Sequence, residues 1–298
     1  MTGSPNPAPR LIERSSDEAR SATVARTGGT PLLELPGGST PYIDYESIDV
    51  LLNLQQTRSG THDEMAFYIM GQVKELLFKL MRHELLAAQR HIRADHLPGA
   101  FEAFRRVVRI QELLVSTWDV LGTLTPAQFN AFRDHLGTAS GFQSYMYRHL
   151  EFLLGNKVRA LLNPHRGVAG VYQELEEALH APSLYDDVIG LLAARGHKVD
   201  AEALDRDWSQ AYAANDSVEQ AWFEVYGDPT PGNDLYQLGE ALMDIADRFQ
   251  QWRYRHLITV ERIIGYKPGT GGTSGSGWLR KIVEHQFFPE LWAVRTRL

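Results

Sequence analysis

Cysteine is absent from this 298-residue sequence. That excludes disulfides, thiolate-held zinc or iron–sulfur clusters and a cysteine nucleophile, and it denies any bound haem the thiolate ligand of P450-type chemistry. Excess positive charge is missing too. The formal net charge of −7 gives no footing for binding nucleic acid or an anionic membrane. No apolar run approaches the ~18 residues that a bilayer requires, and the N-terminus lacks the apolar centre of a signal peptide, so a cytoplasmic location is the default expectation. Nor does any stretch of strand length alternate between apolar and polar residues. What remains is of ordinary composition, 43% apolar and 22% charged, and is long enough for one large core or two smaller domains. Eleven histidines are the candidate metal donors.

The clearest pattern lies in residues 244–277. Ile245, Phe249, Trp252, Val260 and Ile263 recur at the spacing of one apolar helical face. His256 falls on that face, four residues after Trp252 and four before Val260. Gly265 and Pro268 stop the helix, and GTGGTSGSG follows. This run is not a P-loop, because no Lys-Ser/Thr pair closes it. Nor is it a dinucleotide fingerprint, because its glycine spacing differs and it follows a helix. It can bring backbone amides to an anionic or polar ligand, with Thr270, Thr273 and Ser274 as hydroxyl donors. On this window alone, His256 is either a satisfied core histidine or an imidazole that holds a metal or a haem iron from one side.

Residues 1–38 are rich in Pro, Ser, Thr, Gly, Ala and Arg and carry no period. They predict a disordered or loosely attached arm ahead of a single all-α domain at 39–298. A short helix is expected near Asp44 or Ser47. A long one follows from His62, with Phe67, Met70, Lys74, Leu77, Met81 and Leu85 on its buried stripe. Gly71 sits inside that helix, where Gly costs about 1 kcal/mol relative to Ala, and serves either close packing or space for a ligand. Further helices are predicted from Pro98, from Pro126 through Phe129 and Arg133, from a cap at Ser140 to Gly155, and in several acidic segments between 166 and 235. A last one follows the glycine loop, with Pro289 expected to end it. Arg133 and Arg148, each flanked by aromatics, suit a partly buried guanidinium paired with a carboxylate. The fold class is all-α, a bundle around one core.

Five segments carry a more specific signal: HDEMAFYI (62–69), FRDHLGTASGFQSYMYRHLEFLLGNK (132–157), APSLYDD (181–187), FQQWRYRHLITVERIIGYKPGTGGTSG (249–275) and FFPELWAVRT (287–296). In order and spacing they resemble the tryptophan 2,3-dioxygenase family over nearly all of 41–298. The resemblance implies an all-α homotetramer, a dimer of dimers, with one haem b per subunit in the bundle core. It implies an oxygenase that uses O2 on the indole C2–C3 bond of L-tryptophan or a β-substituted tryptophan. It makes His256 the proximal iron ligand and Trp118 a haem-propionate partner. It sets Arg133 at the substrate carboxylate and Thr270 at the ammonium and carboxylate end. Phe67, Phe129, Leu136 and Tyr147 become pocket walls, and Ser140 and position 71 face the reacting side. Tyr42 and Tyr45 match tyrosines that reach a neighbouring subunit's pocket.

Two positions depart from the family's pattern. Gly71 stands where the family has a distal histidine, and Phe129 where it has a tyrosine. The site loses an imidazole and a phenol and gains room near the indole. This predicts a divergent tailoring enzyme of natural-product biosynthesis that acts on β-methyl-L-tryptophan and leaves a hydroxylated oxindole. The alternatives are an ordinary tryptophan 2,3-dioxygenase that makes N-formylkynurenine and tolerates Gly71, and a non-catalytic haem- or tryptophan-binding sensor. The retained Arg133 and Thr270 argue against the sensor.

Overall fold

A computed structural model describes residues 14–35 and 39–298. The rest of the expected arm, 1–13 and 36–38, lies outside the described residues. Every regular element among the described residues is helical, as the missing strand pattern predicts. The chain divides into two compact units, Met1–Thr57 and Arg58–Leu298.

The first unit holds α1 (Asp17–Thr27), α2 (Pro41–Glu46) and α3 (Ile48–Leu51). The Ser16 hydroxyl caps α1 by accepting from the Ala19 amide, but α1 buries no residue. Its amphipathic character is too weak to make a packing face.

The second unit begins with the long helices α4 (Glu64–Arg93) and α5 (Leu97–Leu121), which pack along each other through a short turn. Phe78, Met81, Leu85, Ala88 and Ile92 of α4 and Leu97, Ala100, Ala103, Phe104 and Val107 of α5 are all buried. The alanines let the two backbones approach while the larger side chains interlock between them. α6 (Pro126–Arg133) is opened by a capping box, in which Thr125 and Gln128 each accept from the other's backbone amide. It tightens into a 3-10 turn at Asp134–Leu136. α7 (Tyr145–Leu153) packs on α4. The segments α8 (Val171–His180), α9 (Leu184–Ala194), α10 (Ala201–Leu204) and α11 (Asp216–Tyr226) follow. α12 (Asp234–Ile264) then runs beside α5, tied to it where Gln111 Nε2 donates 3.0 Å to the Ile245 carbonyl. α13 (Ser276–Glu284) and α14 (Pro289–Val294) close the chain.

Two expected boundaries are corrected. Ser140 does not cap one helix running to Gly155. It caps a 3-10 turn at Gly141–Gln143, and Ser144, whose hydroxyl accepts from the Tyr147 amide 3.1 Å away, starts α7. Two serines four residues apart each offer a cap, and the nearer one to the apolar run takes the α-helix. Pro289 does not end the final helix but opens α14. It occupies the first turn, where its missing N–H leaves no bond unmade, and Phe288 before it turns the chain with φ +58°.

Candidate active site

α4, α5, α6, α7, α12, α13 and the glycine loop enclose a cavity of about 840 Å³. Its floor is the apolar face of α12. Trp252, His256, Val260 and Ile263 all line the space, so the face that the sequence period marks is the one the cavity uses. His256 is half-buried and opens onto the cavity. Burial, with the Lys74 ammonium adding to it, pushes the imidazole down to about 3, so the ring is neutral at physiological pH and keeps a lone pair to donate. The Trp118 indole lies flat against it, with centroids 4.4 Å apart and planes 11° from parallel.

Phe67 and Phe129 line the cavity as well, backed by the fully buried Phe132. Their ring centroids lie 5.1 to 5.7 Å from one another, in the tilted arrangements that aromatic quadrupoles favour. Gly71 also lines the cavity, and a Cβ built there would meet nothing within 4 Å. Packing therefore does not require glycine at this position. Leu136 and Tyr147 complete the apolar wall. The Tyr147 phenol accepts from Arg253 Nε at 3.2 Å, and burial pushes its pKa well above the usual phenol range.

The polar end is built by the glycine loop folding back on the 133–140 segment. Arg133 Nη2 donates 2.6 Å to the Pro268 carbonyl, and its Nε has no acceptor. The guanidinium is thus held by the loop with donors to spare. Thr270 Oγ1 donates 2.6 Å to the Ala139 carbonyl, which leaves the hydroxyl oxygen free to accept from an ammonium. Gly271 is the contact point: a Cβ there would stand 2.6 Å from Ser140 Cβ and 2.9 Å from Ser140 Oγ. Gly275 has φ +65°, and a Cβ there would come within 2.4 Å of the Lys267 carbonyl. Glycine at both positions lets the loop close over the cavity.

The aromatic neighbours of Arg133 and Arg148 predict a carboxylate partner for each. Arg148 has one, the buried Glu151, which also pairs with Arg253 Nη2 at 3.1 Å. Arg133 instead meets a carbonyl. Tyr42 and Tyr45 are exposed on α2 of the N-terminal unit. Residues that the site reading missed include Arg253, Phe142, Trp278 and Lys74, all on the cavity wall. Arg253 follows Trp252 directly on α12 and is 2% exposed because it pairs with the buried Glu151. Lys74 had carried a signal, a charge on an otherwise apolar stripe. Burial pushes its ammonium down to about 7, opposed by the Glu75 carboxylate.

Among the described residues, no group of three or more His, Cys, Asp or Glu gathers to hold a metal. The donor set is two imidazoles on the wall of a deep apolar cavity, His256 and His285, both held below the usual histidine range by burial, beside two buried indole N–H groups, Trp118 and Trp252 Nε1, that have no acceptor. These residues fit a tetrapyrrole, which supplies most of its metal's ligands itself and would need only an imidazole such as His256 from the protein.

Comparison with known proteins points to one family. The family model described as tryptophan 2,3-dioxygenase matches residues 29–298. A tryptophan 2,3-dioxygenase of Ralstonia pickettii (strain 12J) is 50% identical over 260 residues, 87% of this chain and 94% of that protein. One from Polaromonas sp. (strain JS666 / ATCC BAA-500) is 52% identical over 257 residues, 86% of this chain and 87% of its own. Another, from Burkholderia pseudomallei (strain 668), is 52% identical over 260 residues, covering 87% and 85%.

Proposed function

The chain belongs to the tryptophan 2,3-dioxygenase family, and on that premise we propose that it is a haem-dependent dioxygenase converting L-tryptophan and O2 to N-formylkynurenine. The observation that carries this reading is one cavity with a neutral imidazole on its floor and a spare guanidinium and hydroxyl at its rim. When bound, haem supplies the activation of dioxygen. His256 would hold its iron, and Trp118 and Trp252 offer N–H donors at its edge. Arg133 takes the amino-acid carboxylate, and Thr270 accepts from the ammonium. Phe67, Phe129, Leu136 and Tyr147 then fix the indole plane, which gives the reaction an oriented substrate rather than a tumbling one. Ser140, pressed on Gly271, shapes the reacting side and helps the loop exclude water. A tetramer, in which Tyr42 and Tyr45 serve a neighbouring subunit's pocket, is part of the same proposal.

Relatives that carry the dioxygenase name at half identity favour this reading over the tailoring expectation. One observation keeps the tailoring enzyme as a second reading: the unfilled space beside Gly71 would take a substituent on the substrate's β-carbon. Product mass spectrometry on haem-loaded, reduced enzyme in air separates them. The dioxygenase reading expects a gain of two oxygen atoms with L-tryptophan. A gain of one, mainly with β-methyl-L-tryptophan, would replace it by the second, and binding without any turnover would mean a sensor. His256→Ala should purify folded but without Soret absorption, and full haem occupancy with an unchanged spectrum would remove His256 as the ligand.

A further inference from the structure

Lys74 is a charge on the apolar stripe of α4, one turn beyond Gly71, and its ammonium reaches into the cavity. There it stands 3.5 Å from the centroid of the Trp118 ring. Among the described residues it has no carboxylate within ion-pair distance and no hydrogen-bond acceptor. Of the other cations of the cavity wall, Arg148 and Arg253 share Glu151, and Arg133, held at the far polar end by the Pro268 carbonyl, is the cation proposed for the amino-acid carboxylate. Glu75, the next residue of α4, lines the same space without coming within ion-pair distance of Lys74, and burial raises the pKa of its carboxyl. An aromatic face alone does not satisfy an ammonium with three N–H donors.

Two further donors sit at the same place. Trp118 Nε1 and Trp252 Nε1 are buried without an acceptor, on rings whose centroids lie 5.8 Å apart. Trp118 is also the ring stacked on His256. One wall beside the proposed iron ligand thus concentrates an ammonium and two unpaired N–H groups, and among the described residues none of them has a hydrogen-bonded or ion-paired acceptor. Such a wall is complementary to an anion with oxygen acceptors.

We infer that Lys74 docks a carboxylate of the haem edge, beside the Trp118 indole that the family resemblance already implies as a donor there. The inference rests on the proposal that the cavity holds haem. The carboxylates are the anionic groups of that cofactor, and seating one in an apolar cavity needs a cation that no protein carboxylate has already taken. Lys74 meets that need. A compact ammonium on a flexible stem reaches an edge group without requiring the planar fork of arginine.

The test uses the full chain loaded with haem b or with haem whose two carboxylates are methyl esters. Haem transfer to excess apomyoglobin is timed for wild type, Lys74→Met and Lys74→Arg, and circular dichroism confirms that each is folded. With haem b, Lys74→Met should release its cofactor about tenfold faster than wild type, and Lys74→Arg should recover most of the difference. With the diester the three proteins should release at equal rates. Equal release of haem b by Lys74→Met and wild type would overturn the inference. So would a difference that persists with the diester, or a Soret shift showing that Lys74→Met has lost an amine ligand to iron. Weaker L-tryptophan binding with unchanged haem release would instead assign Lys74 to the substrate's carboxylate. A wild-type chain that takes up no haem sinks the preceding proposal, whereas normal uptake with an indifferent Lys74→Met sinks this one alone.

Discussion

At the scale of single residues, Arg133 is the sharpest case. Its guanidinium is oriented by one carbonyl and keeps unpaired donors, so a substrate carboxylate can join without breaking a protein ion pair. Arg133→Leu should weaken binding of L-tryptophan by ~10-fold to 100-fold, the worth of a charge-assisted hydrogen-bonded pair. Binding of bare indole should change little. Titrations of the holoenzyme with both ligands check this, and equal losses would mean that Arg133 shapes the loop rather than reading the carboxylate. How legible such residues were depended on their surroundings. His256 sat on a periodic apolar face, and its ligand role became specific only through the motifs around it. Lys74 and Arg253 are charged residues whose location depends on what faces them across the bundle. For Arg253 that is Glu151, 102 residues earlier in the chain. A helical period read along one segment contains no information about such a partner.

Among the elements, helix cores were easy to read and helix ends were not. The faces of α4, α5 and α12 follow from a 3.6-residue period that burial then uses. The ends at Ser140 and Pro289 depend on which of two adequate caps is chosen and on a single positive φ at Phe288. The glycine loop was recognised as a close-approach element, but its target, the 133–140 segment, was set by tertiary folding. That gives a paired prediction. Gly271→Ala drives a methyl into Ser140. It should cost roughly 1–3 kcal/mol through overpacking and raise KM for tryptophan as the Pro268 and Ala139 contacts loosen. Gly71→Ala meets open space and should leave the melting temperature unchanged or raise it by the helix propensity of Ala, about 1 kcal/mol at most. Differential scanning fluorimetry and steady-state kinetics on the two variants check the contrast, and equal effects would mean that the loop does not rest on Ser140.

For the whole molecule, the consequence is a dependence of stability on pH. His149, His165, His256 and His285 are all held below the usual histidine range, in each case chiefly by burial. Burial pushes His149 down to about 4, and the charges of Arg82 and His165 act in the same direction. Both of its ring nitrogens lack partners, and Glu174 stands 3.6 Å away, beyond hydrogen-bond reach. A histidine whose folded pKa lies below its unfolded value of about 6.5 binds more protons when unfolded, so stability is fully present above that value and falls as pH drops toward the folded pKa. Glu75 and Glu290 are shifted the other way, raised by burial, and contribute in the opposite sense over the range above the ordinary carboxylate value. Four histidines outweigh two glutamates, so the net stability of the haem-free protein should fall on acidification from pH 6.5 to 4. His149→Phe replaces a ring with no hydrogen bonds by an apolar one of similar size, which costs little at pH 7. It should flatten the decline between pH 6 and 4. Urea midpoints measured across that range decide it: an unchanged slope in the variant would show that His149 is protonated in the native state and that acid sensitivity arises elsewhere. The same experiment on haem-loaded protein should not flatten the decline, because a His256 held by iron stays unprotonated in the native state and still takes up a proton on unfolding.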